Sequence, residues 1–196
     1  MILAYSFRVQ LRPRILQAIQ TKVSQRPAKA KDWALPNTQR AQRWASSSNS
    51  REDYRYFLPV QTRWTDNDQY AHMNNVHYIS LFDTAINTYM IRESGLLDHT
   101  AITKGGGRPV GFCVESLARY HRPVAFPEVL DVGVRVGKIG SSSVIWECAV
   151  FGEGGVGDAA ATGHFVHVFV DPKTNKKVAL DDDMKRALEK LQVQVL

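Results

Sequence analysis

The chain has 196 residues, 44% of them hydrophobic, and a net charge of +6, which is enough for one domain with a sizeable core and some residues to spare. Its best apolar run, Phe165 to Val170, falls far short of the roughly 20 residues that a membrane-spanning helix needs. The charge does not mark a nucleic-acid-binding domain, because residues 1–50 hold nine Lys or Arg against the single acid Asp32, leaving the other residues at −2.

Residues 1–50 are Arg-rich and acid-poor and end in Ala45-Ser46-Ser47-Ser48-Asn49-Ser50, a composition that resembles a mitochondrial targeting leader. Pro13 can open a short helix in which Leu16, Ile19 and Val23 form a stripe opposite Arg14 and Lys22. No central apolar run of secretory-signal length occurs here. The expectation is a leader over 1–50 cleaved near Arg43 to Ser46, a mitochondrial matrix location, and a folded domain over 51–196. A basic tail that targets nothing is the alternative.

The first strand is predicted where Tyr56, Leu58, Val60, Thr62 and Trp64 alternate with more polar neighbours, and Pro59 puts it at a sheet edge. Next comes Asp66-Asn67-Asp68-Gln69-Tyr70-Ala71-His72-Met73-Asn74-Asn75, which sets two carboxylates and a histidine ahead of a helix. Val76, Ile79, Phe82, Ile86 and Met90 recur at steps of three and four, so one face of that helix is buried. Asn74 or Asn75 suits its N-cap, and Gly95 with Leu96 suits its end. The unpaired N–H groups of a helix start favour a polarised carbonyl oxygen. A loop carboxylate beside them pairs a base or nucleophile with an oxyanion site.

Beyond a Gly105-Gly106-Gly107 loop, further strands are predicted over Val110 to Tyr120, around Leu130 to Val136, over Val144 to Phe151 and from Thr162 to Val170. Turn residues between them (Arg122-Pro123, Phe126-Pro127, Gly140-Ser141, Gly154-Gly155) make the connections antiparallel. A capped helix is expected over Asp181 to Gln192, with Met184, Leu188 and Leu191 on one side. The order strand, helix, four strands, helix describes a two-layer α+β domain.

Other constellations are weaker. His164 and His167 are an odd step apart and take opposite strand faces, and no His/Cys cluster has metal-ligand spacing. The triple glycine lacks the lysine and Ser/Thr of a phosphate loop. No G-x-S-x-G serine-hydrolase elbow occurs. Cys113 and Cys148 read as small core hydrophobes in a reducing compartment, with one disulfide between them as the alternative. Asp83 suits a solvated or capping position more than an approach to the site, and Arg108, Arg122 and Lys138 are candidates to touch a phosphate, although exposed basic residues need no such role.

The run Asp66-x-Asp68-x-x-Ala71-His72-Met73-Asn74-Asn75-x-x-Tyr78, together with Arg119-Tyr120-His121-Arg122-Pro123-Val124, resembles the hotdog-fold thioesterases of the 4-hydroxybenzoyl-CoA thioesterase-like group, over roughly residues 55 to 172. Two positions depart from the family pattern: Ala71 replaces a glycine and Met73 a valine. The resemblance implies a five-stranded antiparallel sheet wrapped around one long central helix. It implies hydrolysis of an acyl-CoA or acyl-carrier-protein thioester with Asp68 as the catalytic carboxylate, His72 as a participating group, and the polarising amide at or beside Asn75. Asn74 and Tyr78 are expected at the substrate, although a helix cap and a packed aromatic describe them equally well. The resemblance implies no cofactor beyond the CoA thioester substrate itself, and a homodimer or homotetramer, since hotdog domains usually form their sites between subunits. A non-catalytic acyl-binding or assembly subunit is the main alternative, and an acyl-thioester hydratase or dehydratase fits less well.

Overall fold

The structure, a computed structural model, describes residues 49–94 and 109–193. Residues 1–48, which carry the expected leader, and the segment with Gly95, Leu96, Arg108 and the triple glycine lie outside the described residues.

Five strands form one antiparallel sheet: β1 Tyr56–Gln61, β2 Val110–Tyr120, β3 Val129–Ile139, β4 Ser143–Phe151 and β5 Ala161–Val170, in the spatial order β1-β3-β4-β5-β2. β1 lies at one edge, as Pro59 requires, and β2 lies at the other. The long helix α1, Asn75–Thr88, continues through a π-type turn, Tyr89–Glu93, that closes with Ser94 N–H donating to Tyr89 O at 3.0 Å. A second helix, α2, spans Asp182–Glu189 and is capped by Asp181, whose carboxylate accepts the Met184 N–H at 2.8 Å.

The core is the space between α1 and one face of the sheet. Tyr78, Phe82, Ala85, Ile86, Tyr89 and Met90 meet Leu130, Val132, Val134 and Val136 of β3, Val144, Trp146, Cys148 and Val150 of β4, and Phe165 and Phe169 of β5. The alternation expected in β3 therefore holds. α2 adds Met184, Ala187 and Leu188, and the Tyr89 hydroxyl donates to Ala187 O at 2.7 Å, tying the two helices together. Gly163 allows the close approach of helix to sheet. A Cβ there would sit 2.6 Å from Phe82 Cε2, and closer still to the Leu117 carbonyl oxygen on β2.

The opposite face carries a smaller cluster of Tyr54, Ala149, Phe151 and Ala159, with Phe57 packed on it. Beside it the buried Arg135 donates through Nε to Glu147, its cross-strand partner, at 2.6 Å. His164 and His167 do point apart: His164 Nε2 is 3.2 Å from Glu115 Oε1, while His167 lies among Trp146 and Phe165 in the core layer.

Three sequence expectations change. The first strand ends at Gln61, and Trp64, 77% exposed, belongs to a 3-10 turn, Trp64–Asp66. Val76, in the first turn of α1, is 66% exposed, and Tyr78 takes its place on the buried face. Only Cys148 is a core thiol. Cys113 is exposed because β2 is an edge strand, and both cysteines are free.

Candidate active site

The carboxylate loop is a closed turn built from its own backbone. Asp68 N–H donates to His72 O at 2.7 Å and Ala71 N–H donates to Asp68 O at 3.1 Å. This geometry places Ala71 at φ 60°, in the left-handed region that glycine enters more easily. The alanine at the family's glycine position thus takes up the backbone conformation that glycine favours, and the turn forms.

Asp68 is half-buried. Its Oδ1 accepts the Tyr70 N–H at 2.7 Å and the His72 N–H at 3.4 Å. Oδ2 has no hydrogen-bond partner among the described residues. The side chain is therefore oriented by the loop and still has one oxygen for a ligand or water. Asp66 is different in kind. It is 6% exposed and accepts from Arg63 N–H at 2.8 Å and Arg63 Nε at 3.0 Å. Burial alone would raise its pKa, but the Arg63 hydrogen bonds and charge together hold it below the usual carboxylate range. It is a structural anchor of the loop.

The loop is latched to the turn after β2. Met73 N–H donates to Val124 O at 2.8 Å, and Phe126 N–H donates to Asn67 Oδ1 at 3.2 Å. That turn is in turn fixed to the end of β1, where the buried Thr62 hydroxyl donates to Glu128 O at 2.9 Å. These bonds bring the two sequence motifs, some fifty residues apart, to one place.

Between them lies a cleft of about 280 Å³. The loop and helix contribute Asp68, His72, Met73, Asn75 and Tyr78, and the end of β2 contributes Tyr120, His121, Arg122 and Pro123. Asn75 is the first residue of α1, and its N–H has no partner among the described residues. The Tyr120 hydroxyl donates to Asn75 O at 3.1 Å, which fixes the helix start against β2. Tyr78 is buried, with its ring edge-on to Tyr120 at 5.1 Å. Burial pushes its hydroxyl above the ordinary value, against a hydrogen bond to the Val124 backbone.

The cleft thus brings together Asp68, His72, Asn75 and Tyr78. Asn74 stands apart: its side chain accepts the Val76 N–H at 3.3 Å as the N-cap, and it is not among the lining residues. Asp83 also lies outside the cleft and accepts from Asn87 Nδ2 at 3.0 Å. Tyr120 and His121 also line the cleft, and their one signal in the sequence is their place in the second motif.

What this arrangement can do is limited by the groups present. Burial raises the pKa of both thiols, Cys148 most strongly, so neither is poised as a thiolate nucleophile. Among the described residues no group of three His, Cys, Asp or Glu is placed to hold a metal ion. A carboxylate with a free oxygen beside an unpaired helix N–H suits attack on a carbonyl whose oxygen gains negative charge.

The family model of the thioesterase-like superfamily matches residues 62–188. Among solved structures, the PA5185 protein of Pseudomonas aeruginosa is 44% identical, with 76% of this chain and 99% of that chain covered and a TM-score of 0.69. A thioesterase from Thermus thermophilus, complexed with coenzyme A and zinc, is 24% identical, with 71% and 96% covered and a TM-score of 0.57. A DHNA-CoA thioesterase from Staphylococcus aureus is 20% identical, with 68% and 88% covered and a TM-score of 0.58. The last two likenesses establish a shared fold. A search of curated proteins found no match.

Proposed function

This chain belongs to the thioesterase-like superfamily and is a thioester hydrolase; we propose that it cleaves acyl thioesters of CoA, or of an acyl carrier protein, with Asp68 as its catalytic carboxylate. The observation that carries this reading is the cleft in which Asp68, held through Oδ1 by the Tyr70 and His72 N–H groups, shares one wall with the unpaired N–H of Asn75.

In this mechanism the thioester carbonyl oxygen accepts a hydrogen bond from the Asn75 N–H. The dipole of α1 favours the negative charge that develops there. Asp68 Oδ2 either takes a proton from the water that attacks the carbonyl carbon and returns it to the departing sulfur, or attacks that carbon itself to give a mixed anhydride that water then hydrolyses, with water protonating the thiolate. The C–S bond breaks, a free thiol leaves, and a carboxylic acid remains. His72, whose backbone already orients Asp68, offers its imidazole to the thioester or the water. Single turnover in ¹⁸O-labelled water separates the two routes: the label enters the product acid when Asp68 is the base, and enters Asp68 when it is the nucleophile and water attacks the aspartyl carbonyl of the mixed anhydride.

The reading includes a second copy of the chain. β2 is a long edge strand that leaves Phe112 50% and Val114 61% exposed, and antiparallel pairing with another copy would cover this apolar edge. Sedimentation analysis tests it, with a homodimer or homotetramer expected and a monomer as the contrary result. For residues 1–50 the reading is a cleaved mitochondrial leader. N-terminal sequencing of protein from purified organelles tests that, and an intact Met1 contradicts it.

The decisive assay is thiol release from a panel of acyl-CoAs, then acyl-carrier-protein thioesters, with wild type beside Asp68→Asn. A folded protein that turns over none of them is a non-catalytic subunit. An intact thioester whose mass changes by one water marks a hydratase or dehydratase.

A further inference from the structure

His121 is fixed in the cleft more firmly than its surface position suggests. Its own N–H and that of Arg122 both donate to Ala160 O, at 2.8 and 3.1 Å, which locks the backbone at the end of β2. Its ring is held as well: Nε2 lies 2.9 Å from Oγ1 of Thr162, a β5 residue only 1% exposed. Nδ1 has no hydrogen-bond partner among the described residues. An imidazole held at one nitrogen, with the other available, is a pre-oriented hydrogen-bonding group.

Neither the carboxylate nor the helix amide needs this ring for the chemistry. If Asp68 and the Asn75 N–H take the thioester carbonyl, His121 meets a flanking part of the substrate. One flank is the acyl group. The other is the pantetheine arm, which carries amides. Tyr120, Arg122 and Pro123 line the cleft on either side of His121 in the chain, and a wall that carries an imidazole and a guanidinium matches an amide better than a hydrocarbon chain.

We infer that His121 is a substrate-binding residue of the cleft, with Nδ1 hydrogen-bonded to the amide-bearing arm of the thioester and Thr162 as the positioning residue that holds the ring. This rests on the thioesterase reading above. It gives His121 a role in affinity and leaves bond cleavage to Asp68.

The test uses the full chain and free coenzyme A as the binding probe, measured by calorimetry, together with steady-state kinetics on an acyl-CoA. His121→Ala should weaken CoA binding and raise KM by about tenfold, with kcat within about twofold. Thr162→Val should do the same to a smaller degree, about threefold, because the ring remains but is untethered. His121→Asn, which keeps an amide near the place of Nδ1, should recover part of the affinity and guards against a loss of folding in the alanine variant. A melting temperature that falls while CoA affinity and KM stay unchanged would show a structural role and overturn the inference, as would a fall in kcat alone or wild-type protein that binds no CoA. Asp68→Asn separates the two readings. It should bind CoA normally and lose turnover, and if it keeps turnover the assignment of Asp68 fails while the CoA titration still decides the role of His121.

Discussion

The Met73 N–H donates to Val124 O at 2.8 Å, and this one backbone bond holds the Asp68 loop against the turn that carries Tyr120 and His121. The second latch is a side chain, Asn67, which accepts the Phe126 N–H. Asn67→Ala should therefore loosen the cleft without touching a reacting group. The expected effects are a stability loss of about 0.5–1.5 kcal/mol and a fall in kcat/KM of roughly three- to tenfold from lost positioning. Denaturant titration and steady-state kinetics on the same preparation check both. Unchanged kinetics would mean that Met73 and Val124 suffice.

Ala71 tests the loop from within. At φ 60° an alanine bears left-handed strain of about 1–2 kcal/mol, while glycine costs about 0.4–1 kcal/mol in added freedom of the unfolded chain. Ala71→Gly should thus stabilise the fold by up to about 1.5 kcal/mol and keep activity within about twofold. Ala71→Val, whose β-branched side chain tolerates this conformation poorly, should cost about 1–3 kcal/mol and lower kcat. Thermal melts of the two variants, which should move in opposite directions, are the check.

At Gly163 the helix and sheet leave no room for a methyl group. Gly163→Ala should destabilise by about 1–3 kcal/mol through overpacking against Phe82 and the Leu117 carbonyl. Pairing it with Phe82→Leu, which removes the ring on one side, should recover only part of the loss, because the carbonyl clash persists. A double-mutant cycle measures this.

Asp66 has a folded-state pKa below its unfolded value. The stability it contributes is present above the unfolded value of about 3.9 and is lost as pH falls through the folded value. Asp66→Asn should cost about 1.5–3 kcal/mol at neutral pH, and the gap between variant and wild type should close in strong acid. His164 and His167 act at higher pH. Burial lowers both pKa values, against Glu115 for His164 and Asp83 for His167. Wild-type stability should therefore begin to fall as pH drops below about 6.5, since the unfolded chain takes up protons that the folded one resists. Denaturant midpoints across pH 3–8 check both signs.

Most of the fold was legible in the sequence because its signals are local. The period of α1, the Asn74 cap, the alternation of β3 and the Pro59 edge each depend on neighbours in the chain. The errors share a cause. Trp64 continues the alternation of β1 in letters, yet Thr62 turns its hydrogen bonds to the β2–β3 turn and the ladder stops. Val76 fits the helical period but stands in the exposed first turn, and Cys113 resembles a core residue until β2 is placed at an edge. In the site, Asp68 and His72 could be singled out from one motif. The wall formed by Tyr120 and His121 depends on Met73 meeting Val124 and Thr162 meeting His121, contacts between distant segments that no local period encodes.

Thiol release by folded Asp68→Asn beside wild type, on the acyl thioester that wild type cleaves fastest, decides whether Asp68 is the catalytic carboxylate. The expected result is a fall in kcat of at least about 100-fold, with a melting temperature close to that of wild type. A folded variant that turns over at the wild-type rate would contradict it.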